Sequence, residues 1–395
     1  MNTGPLVAAP TGQMRIAALD AGAASGIRLS LVIPTFNEAA NIRQLVREIA
    51  AILDQAPGCT YEIIIVDDDS PDRTWELALG LVREVPALRV MRRTHERGLA
   101  TAVIRGWQVA RGDILAVIDG DLQHPPEILL ALWTEIERGH EMAIASRHVE
   151  GGGVSKWALW RRVLSRGAQI LGLLVLPGAV GRVSDPMSGY LMVRCVVVQG
   201  IDLNPLGYKI LVELLGRCQP RSIAEVPYVF RERLAGQSKL TRGTFVDYLR
   251  HLLRLRLASF PVARFVRFAC VGLSGVVVDM GFLYLLSDPA SLGWGLTRSK
   301  LIAAELAIIN NFIWNDAWTF RDLALAQTGW PQRARRFAKF QAICLAGLVL
   351  NTILLNLQFN VLGMNRYVAN AVAIAVMTGW NFWLNLKLSW RVTTR

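Results

Sequence analysis

Apolar and polar positions follow two rhythms between residues 28 and 230. Short continuous apolar runs recur at Arg28 to Pro34, Tyr61 to Val66, Leu88 to Met91, Ile114 to Ile118 and Met142 to Ala145. Longer amphipathic segments lie between them: one ending near Leu53, then Arg73 to Val85, Gly98 to Ala110 and Pro126 to Arg138. Short continuous runs suit strands buried on both faces, and their alternation with helices predicts βαβ units in a doubly wound parallel sheet. The expected fold class is therefore α/β.

The rhythm then loosens. Residues 147–185 read as a connection with a Gly151-Gly-Gly153 hinge and a basic, apolar helix from about Trp157 to Leu174. A short strand at Tyr190 to Arg194, a helix at Tyr208 to Arg217 and a strand at Ala224 to Phe230 follow. Arg231 to Leu240 reads as a basic loop. From Thr244 to Phe260, Leu recurs at helical spacing among Arg250, His251, Arg254 and Arg256, which predicts a helix lying in the plane of a membrane. Four long apolar runs close the chain, at about Phe265–Leu286, Leu301–Trp318, Phe340–Leu362 and Val368–Trp390, each of spanning length. The second is the weakest, since it carries Glu305, Asn310, Asn311, Asn315 and Asp316. The expected division is a disordered tail at 1–27, an α/β domain at 28–243, an interfacial amphipathic helix at 244–262 and a transmembrane domain at 263–395.

The net charge of +12 sharpens this division. Basic residues cluster before the first run (Arg254, Arg256, Arg264, Arg267), between the second and third (Arg321, Arg333, Arg335, Arg336, Lys339) and at the end (Lys387, Arg391, Arg395). Four spans put all three clusters on one side, which the positive-inside rule makes cytoplasmic. The charge therefore speaks for a membrane and against nucleic acid as the partner. Five scattered cysteines form neither a disulfide framework nor a zinc motif. Residues 1–27 lack an apolar core behind a basic start, so no secretory signal is expected. The reading is an integral protein of the cytoplasmic membrane with the α/β domain in the cytoplasm. The membrane domain is also a candidate surface for self-association.

Three of the predicted strands end in polar signatures: Pro34-Thr-Phe-Asn-Glu38, Asp67-Asp-Asp-Ser70 and Asp119-Gly-Asp121. Strand ends in such a sheet share one edge, so the three belong to one site. Asp119 and Asp121, with Gln123 in the same alternation, are oxygen ligands suited to a hard divalent cation that also binds diphosphate oxygens.

Residues 28–245 resemble the family-2 glycosyltransferases with the GT-A (Rossmann-like) fold, and more narrowly the polyprenyl-phosphate glycosyltransferases of the dolichol-phosphate mannose synthase type. The resemblance rests on Pro34 to Glu38, Asp67-Asp-Asp-Ser-Pro-Asp-Arg-Thr74, Asp119-Gly-Asp-Leu-Gln-His-Pro-Pro-Glu127, Ser146-Arg147, Asp185-Pro-Met-Ser-Gly189 and Gly236-Gln-Ser-Lys239. Residues 265–390 resemble the GtrA-like four-helix membrane family through Asn311-Phe-Ile-Trp-Asn-Asp-Ala-Trp-Thr-Phe320. The resemblance implies transfer of a hexose from a nucleotide-sugar, mannose from GDP-mannose or glucose from UDP-glucose, to polyprenyl phosphate with inversion. A lipid-linked-sugar translocase with a binding-only first domain is the competing class.

The same resemblance implies the site residues. Pro34, Thr35, Asn37, Glu38, Asp67, Asp69, Ser70, Asp119, Gly120 and Asp121 would bind the nucleotide-sugar. Arg231, Arg233, Ser238 and Lys239 would close over its phosphates. Asp119, Asp121 and Gln123 would hold Mg²⁺ or Mn²⁺. Arg147, Arg161 and Ser165 would receive the acceptor phosphate, and Asp119, Asp121 and Arg147 would carry the chemistry. His124 is expected to be structural.

Overall fold

The computed structural model of the protein describes residues 4–17, 26–154, 159–232, 242–258 and 260–390, and the side chains of 159–165 and 242–245 fall outside that description. Contacts divide the chain into two units, Met1–Ser259 and Phe260–Arg395.

Among the described residues, ten strands lie in the first unit: β1 (Leu6–Val7), β2 (Leu29–Thr35), β3 (Tyr61–Asp67), β4 (Leu88–Arg92), β5 (Ile114–Val117), β6 (Met142–Ser146), β7 (Gly153–Val154), β8 (Leu191–Arg194), β9 (Ile223–Pro227) and β10 (Val229–Phe230). Eight of them form one sheet in the order β1-β4-β3-β2-β5-β8-β6-β9, and β10 pairs with β7 apart from it. The helices are α1 (Ile42–Leu53), α2 (Thr74–Gly80), α3 (Leu99–Gln108), α4 (Ile128–Glu137), α5 (Leu159–Val175), α6 (Pro177–Val180), α7 (Cys195–Val198), α8 (Ile210–Arg217) and α9 (Arg242–Ala258).

The central strands are apolar on both faces because both faces are covered. Leu29, Leu31 and Ile33 of β2 and Ile63 and Ile65 of β3 pack with α1 and α4 residues such as Leu45 and Leu132. Val32, Ile64 and Val66 point the other way, onto Val103 and Trp107 of α3. This is strand alternation between two helical layers.

Three expectations change. Residues 4–17, read as part of a disordered tail, are ordered: β1 pairs in parallel with β4 at Leu6–Val90 and Val7–Met91. Val7 and Ile16 are buried, and Arg15 pairs with Asp202 at 2.7 Å. Two buried apolar side chains and a sheet edge to cover outweigh the Gly- and Ala-rich composition of this segment. The sheet is also not wholly parallel, since β8 runs antiparallel to both β5 and β6. The chain leaves β6 at its carboxyl end and re-enters the sheet from that same end after α5 and α6. Finally, the helix expected at 244–262 belongs to the first unit. α9 buries Tyr248, Leu252 and Leu255 against Leu176, Val180, Met187 and Val212, and turns Leu253, Arg254, Arg256 and Leu257 outward.

The second unit contains α10 (Val262–Ser287), α11 (Leu296–Trp314), α12 (Arg321–Leu325), α13 (Trp330–Asn356) and α14 (Arg366–Leu384). Among the described residues, three helical stretches are long and apolar enough to cross a membrane: Val262–Ser287, Trp330–Val361 and Arg366–Ser389. The stretch containing α11 is not among them, in keeping with its charged and amide side chains. Those polar groups meet partners on other helices: Lys300 reaches Asp279, the Asn310 amide donates to Ser274 at 3.1 Å, and the Gln341 amide to Glu305 at 2.8 Å. Interhelical bonding of this kind holds membrane bundles together.

This unit repeats itself. Phe265, Arg267, Phe268 and Gly275 of α10 recur in α13 as Phe337, Lys339, Phe340 and Gly347. Asn311-Phe312, Asn315, Thr319-Phe320 recur as Asn381-Phe382, Asn385, Ser389-Trp390. Both second helices close in a wide turn, with Phe320 N–H donating to Asn315 O and Trp390 N–H to Asn385 O at 2.8 and 3.0 Å. Equivalent rings pack alike. Phe265–Phe382 and Phe337–Phe312 have centroids 5.2 and 5.0 Å apart, and Phe268–Phe382 and Phe340–Phe312 have them 5.5 and 5.8 Å apart. Phe320 and Trp390 stack on each other at 4.3 Å. The unit is therefore two copies of one helical hairpin joined at an aromatic seam.

Candidate active site

The chain builds β2, β3 and β4 outward in one direction and then places β5 on the other side of β2. The carboxyl ends of β2 and β5 thus flank the switch point of the sheet, where α/β folds open a crevice for ligands. Pro34-Thr35 ends β2, and Asp119-Gly-Asp121 follows β5. The two meet at Gly120: a Cβ there would lie 3.2 Å from Thr35 Cγ2 and 3.5 Å from both Glu38 Cγ and the Pro34 carbonyl. A side chain at 120 would close the crevice.

The turns after β2 and β3 are knitted into one ledge. Ser70 Oγ accepts from the amide of Asn37 at 2.9 Å, Thr74 Oγ1 from that of Glu38 at 3.0 Å, and Asp72 from that of Ala39 at 3.0 Å. Asn37, Asp69 and Leu122 all have φ between 55° and 60°. Left-handed conformations in non-glycine residues cluster at sites where the backbone is held for a purpose. Asp67, expected to grip the nucleoside, is fully buried instead. Its carboxylate accepts from Ser70 N–H, Ser70 Oγ and Thr35 Oγ1 at 2.8, 2.6 and 2.8 Å. Asp67, Ser70 and Thr35 therefore shape the ledge from inside it. Asp69 stands further out, paired with Arg92 at 2.6 Å.

Asp121 is buried and accepts from the amide of Gln123 at 3.1 Å. Gln123 in turn ties in the chain after β10: its amide nitrogen donates to the Arg231 carbonyl at 3.0 Å, and Arg231 N–H to the Gln123 carbonyl at 2.9 Å. Arg231 is thus brought beside the Asp-Gly-Asp turn, where it also reaches Glu127 at 3.1 Å. Arg233, Ser238 and Lys239, as well as the side chains of Arg161 and Ser165, lie outside the described residues. Among those described, no cluster of three or more His, Cys, Asp or Glu is placed to hold a metal ion.

His124 is structural in its surroundings. Its ring sits 5.2 Å from those of Tyr190 and Phe230 and 5.6 Å from that of Tyr228. Burial pushes its pKa down to about 4, so the imidazole is neutral at pH 7. Its Nδ1 approaches Asp119 Oδ2 at 3.6 Å.

Arg147 is gripped by Asp185. Nε and Nη2 donate to the two carboxylate oxygens at 2.6 and 2.8 Å, and the guanidinium stands 5.6 Å from the Phe230 ring centre. Burial works against the Asp185 charge, but Arg147 outweighs it and holds the carboxyl below its ordinary range. The loop is braced behind this pair: Ser184 bonds Ser146 at 2.9 Å and Glu225 at 2.6 Å. At the far end of the same motif, a Cβ on Gly189 would lie 3.5 Å from both oxygens of Asp119. The Asp185-to-Gly189 loop therefore touches both the guanidinium and the first carboxylate of the Asp-Gly-Asp turn.

Sequence reasoning missed Lys209. Its Nζ donates to the Met187 carbonyl at 2.8 Å, inside that loop, and lies 4.3 Å from the Tyr208 ring centre. Burial first and Arg147 second lower its pKa, against the opposing pull of Asp185 and Asp119, to about 7. The available signal was a lysine set between Tyr208 and the apolar run Ile210-Leu211-Val212.

Comparison with known proteins places these features in a family. A model described as glycosyl transferase family 2 matches residues 30–193, and one described as the GtrA/DPMS transmembrane domain matches residues 267–390. A dolichol-phosphate mannosyltransferase of Pyrococcus furiosus is 41% identical over 92% of this chain and 99% of its own. One from Saccharomyces cerevisiae is 33% identical over 61% of this chain and 92% of its own. A polyprenol monophosphomannose synthase of Mycolicibacterium smegmatis is 36% identical over 54% of this chain and 81% of its own.

Proposed function

The chain belongs to the family-2 glycosyltransferases of the dolichol-phosphate mannosyltransferase type, and from that membership we propose that it transfers mannose from GDP-mannose to the phosphate of a membrane polyprenol. The supporting observation is the convergence at one switch point of the Asp119–Asp121 pair, the knitted ledge after β2 and β3, and the loop that grips Arg147.

An oxygen of the acceptor phosphate forms the new bond to the anomeric carbon. The bond from that carbon to the diphosphate breaks, its electron pair leaving with GDP, and a single displacement inverts the centre. A phosphate ester is already ionised near pH 7, so no side chain has to take a proton from it. A buried, neutral His124 agrees with that. The donor set of Asp119, Asp121 and Gln123 is all oxygen and suits Mg²⁺ or Mn²⁺, with two carboxylates leaving room for diphosphate oxygens in the shell. When bound, such a cation supplies Lewis-acid neutralisation of charge on the leaving diphosphate.

Pro34, Asn37, Glu38 and Asp69 are assigned to the nucleoside, with Glu38 and Asp69 accepting from hydroxyl or base N–H. Arg231, Arg233, Ser238 and Lys239 are assigned to the diphosphate. Arg147, Arg161 and Ser165 are assigned to the acceptor phosphate, since guanidinium forks match phosphate oxygens. The second unit anchors the enzyme in the cytoplasmic membrane through four spans, with the catalytic unit on the cytoplasmic side. Radiolabel transfer to polyprenyl phosphate by the purified full chain, run with GDP-mannose and UDP-glucose in parallel, tests the reading. Product from GDP-mannose is expected; product from UDP-glucose alone overturns the donor assignment.

A further inference from the structure

The two hairpins of the second unit carry the same basic residues at the same register. Arg264, Arg267 and Arg321 of the first correspond to Arg336, Lys339 and Arg391 of the second. The repeat allows a comparison of what each copy does with its cations, although Arg391 itself lies outside the described residues.

Of the second hairpin's cations, the two described are satisfied inside the unit. Arg336 is buried, donates from Nε to Asp316 at 3.0 Å and from Nη1 to the Gln327 carbonyl at 2.9 Å. Lys339 donates to the Leu388 carbonyl at 3.2 Å. In the first hairpin the equivalent residues line an open cavity of about 580 Å³, together with Trp318, Asp322 and Leu325. Arg264 pairs with Asp322 at its edge. Arg267 lies 5.8 Å from the Trp318 ring centre. Among the described residues, neither Arg267 nor Arg321 has a carboxylate partner. Three guanidinium groups thus face one carboxylate around this cavity.

We propose that this cavity binds the phosphate of an anionic membrane lipid. The chemistry selects phosphate, because guanidinium groups pair with its oxygens through parallel bonds. The setting selects a lipid. Arg264 and Arg267 occupy the first turns of a helix long and apolar enough to span a bilayer. The cavity also exposes apolar surface, with Trp318 45% and Leu325 63% exposed. An indole beside basic groups suits the headgroup level, where apolar surface meets acyl chain and the cation meets phosphate. A soluble phosphate would leave Leu325 and the indole in water. The inference requires only that the second unit sits in a bilayer, and it is independent of the transfer reaction.

Native mass spectrometry of the full chain, released from detergent micelles, tests it. Phosphatidylglycerol should remain bound over phosphatidylcholine by about tenfold or more, as two surface cations acting on one phosphate imply. The double variant Arg267→Ala/Arg321→Ala should lose that preference. Arg267→Lys/Arg321→Lys should retain most of it, and Lys339→Ala, whose ammonium is spent on a carbonyl, should leave it intact. A melting temperature close to that of the unsubstituted chain shows that each variant is folded; where the alanine pair unfolds, Trp318→Leu, which copies Leu388, replaces it and should weaken retention. A preference surviving in the folded alanine pair, an equal loss in Lys339→Ala, or no preference at all overturns the proposal. Titration with polyprenyl phosphate separates the sources: displacement at equimolar concentration identifies the polyprenyl monoester as occupant, and persistence of phosphatidylglycerol identifies the phospholipid.

Discussion

Asp185 holds Arg147 through two parallel bonds of 2.6 and 2.8 Å, and the backbone amide of Arg147 adds a third at 3.1 Å. The carboxylate is fully buried, so the pair is fixed in direction as well as in charge. Asp185→Asn keeps the shape but turns an amide donor toward a donor. Removing one partner of a buried pair typically costs about 3–5 kcal/mol, because the other charge is stranded. We expect kcat to fall by about 100-fold or more while nucleotide-sugar affinity, measured by calorimetry, changes little. A variant with unchanged kcat would show that Arg147 need not be held for transfer.

Asp121 lies in a turn beyond β5, outside the apolar core, and its carboxylate accepts from the Gln123 backbone amide at 3.1 Å. Asp121→Ala should therefore fold, with a melting temperature within a few degrees of the unsubstituted chain. Turnover should drop by about 100- to 1,000-fold, the scale on which electrostatic stabilisation of a leaving group is lost. EDTA should give the same loss reversibly, restored by Mg²⁺ or Mn²⁺. Full turnover in EDTA would remove the metal from the reaction.

The parallel part of the sheet was legible because each of its central strands is an unbroken apolar run between helices, and three of the strands ended in polar signatures. Asp119, Asp121 and the Pro34-to-Glu38 turn could be assigned to one edge from topology alone. What stayed hidden depended on contacts distant in sequence. Asp67 reads like Asp69, yet only Asp67 is swallowed by Ser70 and Thr35. Lys209 looks like a helix-start lysine until the Asp185-to-Gly189 loop folds over it. The antiparallel β8 and the ordered stretch at 4–17 follow from where the chain re-enters the sheet and which edge needs covering, neither of which is a local property. The hairpin repeat is present in the sequence, but its spacing differs by two residues between the halves, and the ring packing makes it visible.

Glu213 joins α8 to α9. Its Oε1 accepts from Asn204 N–H and Arg217 Nε, both at 2.6 Å, and Oε2 faces His251 Nε2 at 3.1 Å. His251 Nδ1 accepts from Leu206 N–H at 2.7 Å, which leaves the ring proton on Nε2, the nitrogen beside the carboxylate. Burial works against the Glu213 charge, but His251, Asn204 and Arg217 together bring its pKa below the ordinary value. A depressed carboxylate stabilises fully above its unfolded pKa of about 4.3 and loses that contribution as pH falls through the folded value. Glu213→Gln should lower the melting temperature at pH 7 and flatten its fall between pH 5 and 3. An unchanged slope would mean that other carboxylates dominate acid unfolding.

Among the described residues three stretches are membrane-length and the one containing α11 is not, so the side on which residues 320–330 lie decides the topology. A four-span arrangement puts Gly293 outside and Gln332 in the cytoplasm. Gly293→Cys should react with an impermeant maleimide in intact cells, and Gln332→Cys only after permeabilisation. Reaction of both from outside would mean that α11 does not cross. Reaction of Gln332→Cys alone would invert the whole unit.

The hairpin repeat predicts matched consequences in its two halves. A Cβ on Gly275 would lie 2.4 Å from Asn311 Oδ1, and one on Gly347 would lie 2.6 Å from Asn381 Oδ1. Each asparagine therefore fits its hairpin only because the facing helix has no side chain there. Gly275→Ala and Gly347→Ala should each destabilise the unit by about 1–3 kcal/mol, the range for overpacking, set against about 1 kcal/mol gained in helix propensity. Gly272 and Gly379 have open space around them, so alanine there should be neutral or stabilising. Because the contact is pairwise, Asn311→Ala should relieve Gly275→Ala and not Gly347→Ala, and Asn381→Ala should do the reverse. A double-mutant cycle in detergent unfolding would show coupling within each hairpin and additivity between them. Coupling of Gly275 to Asn381 as strong as that to Asn311 would mean that the halves do not pack as separate copies.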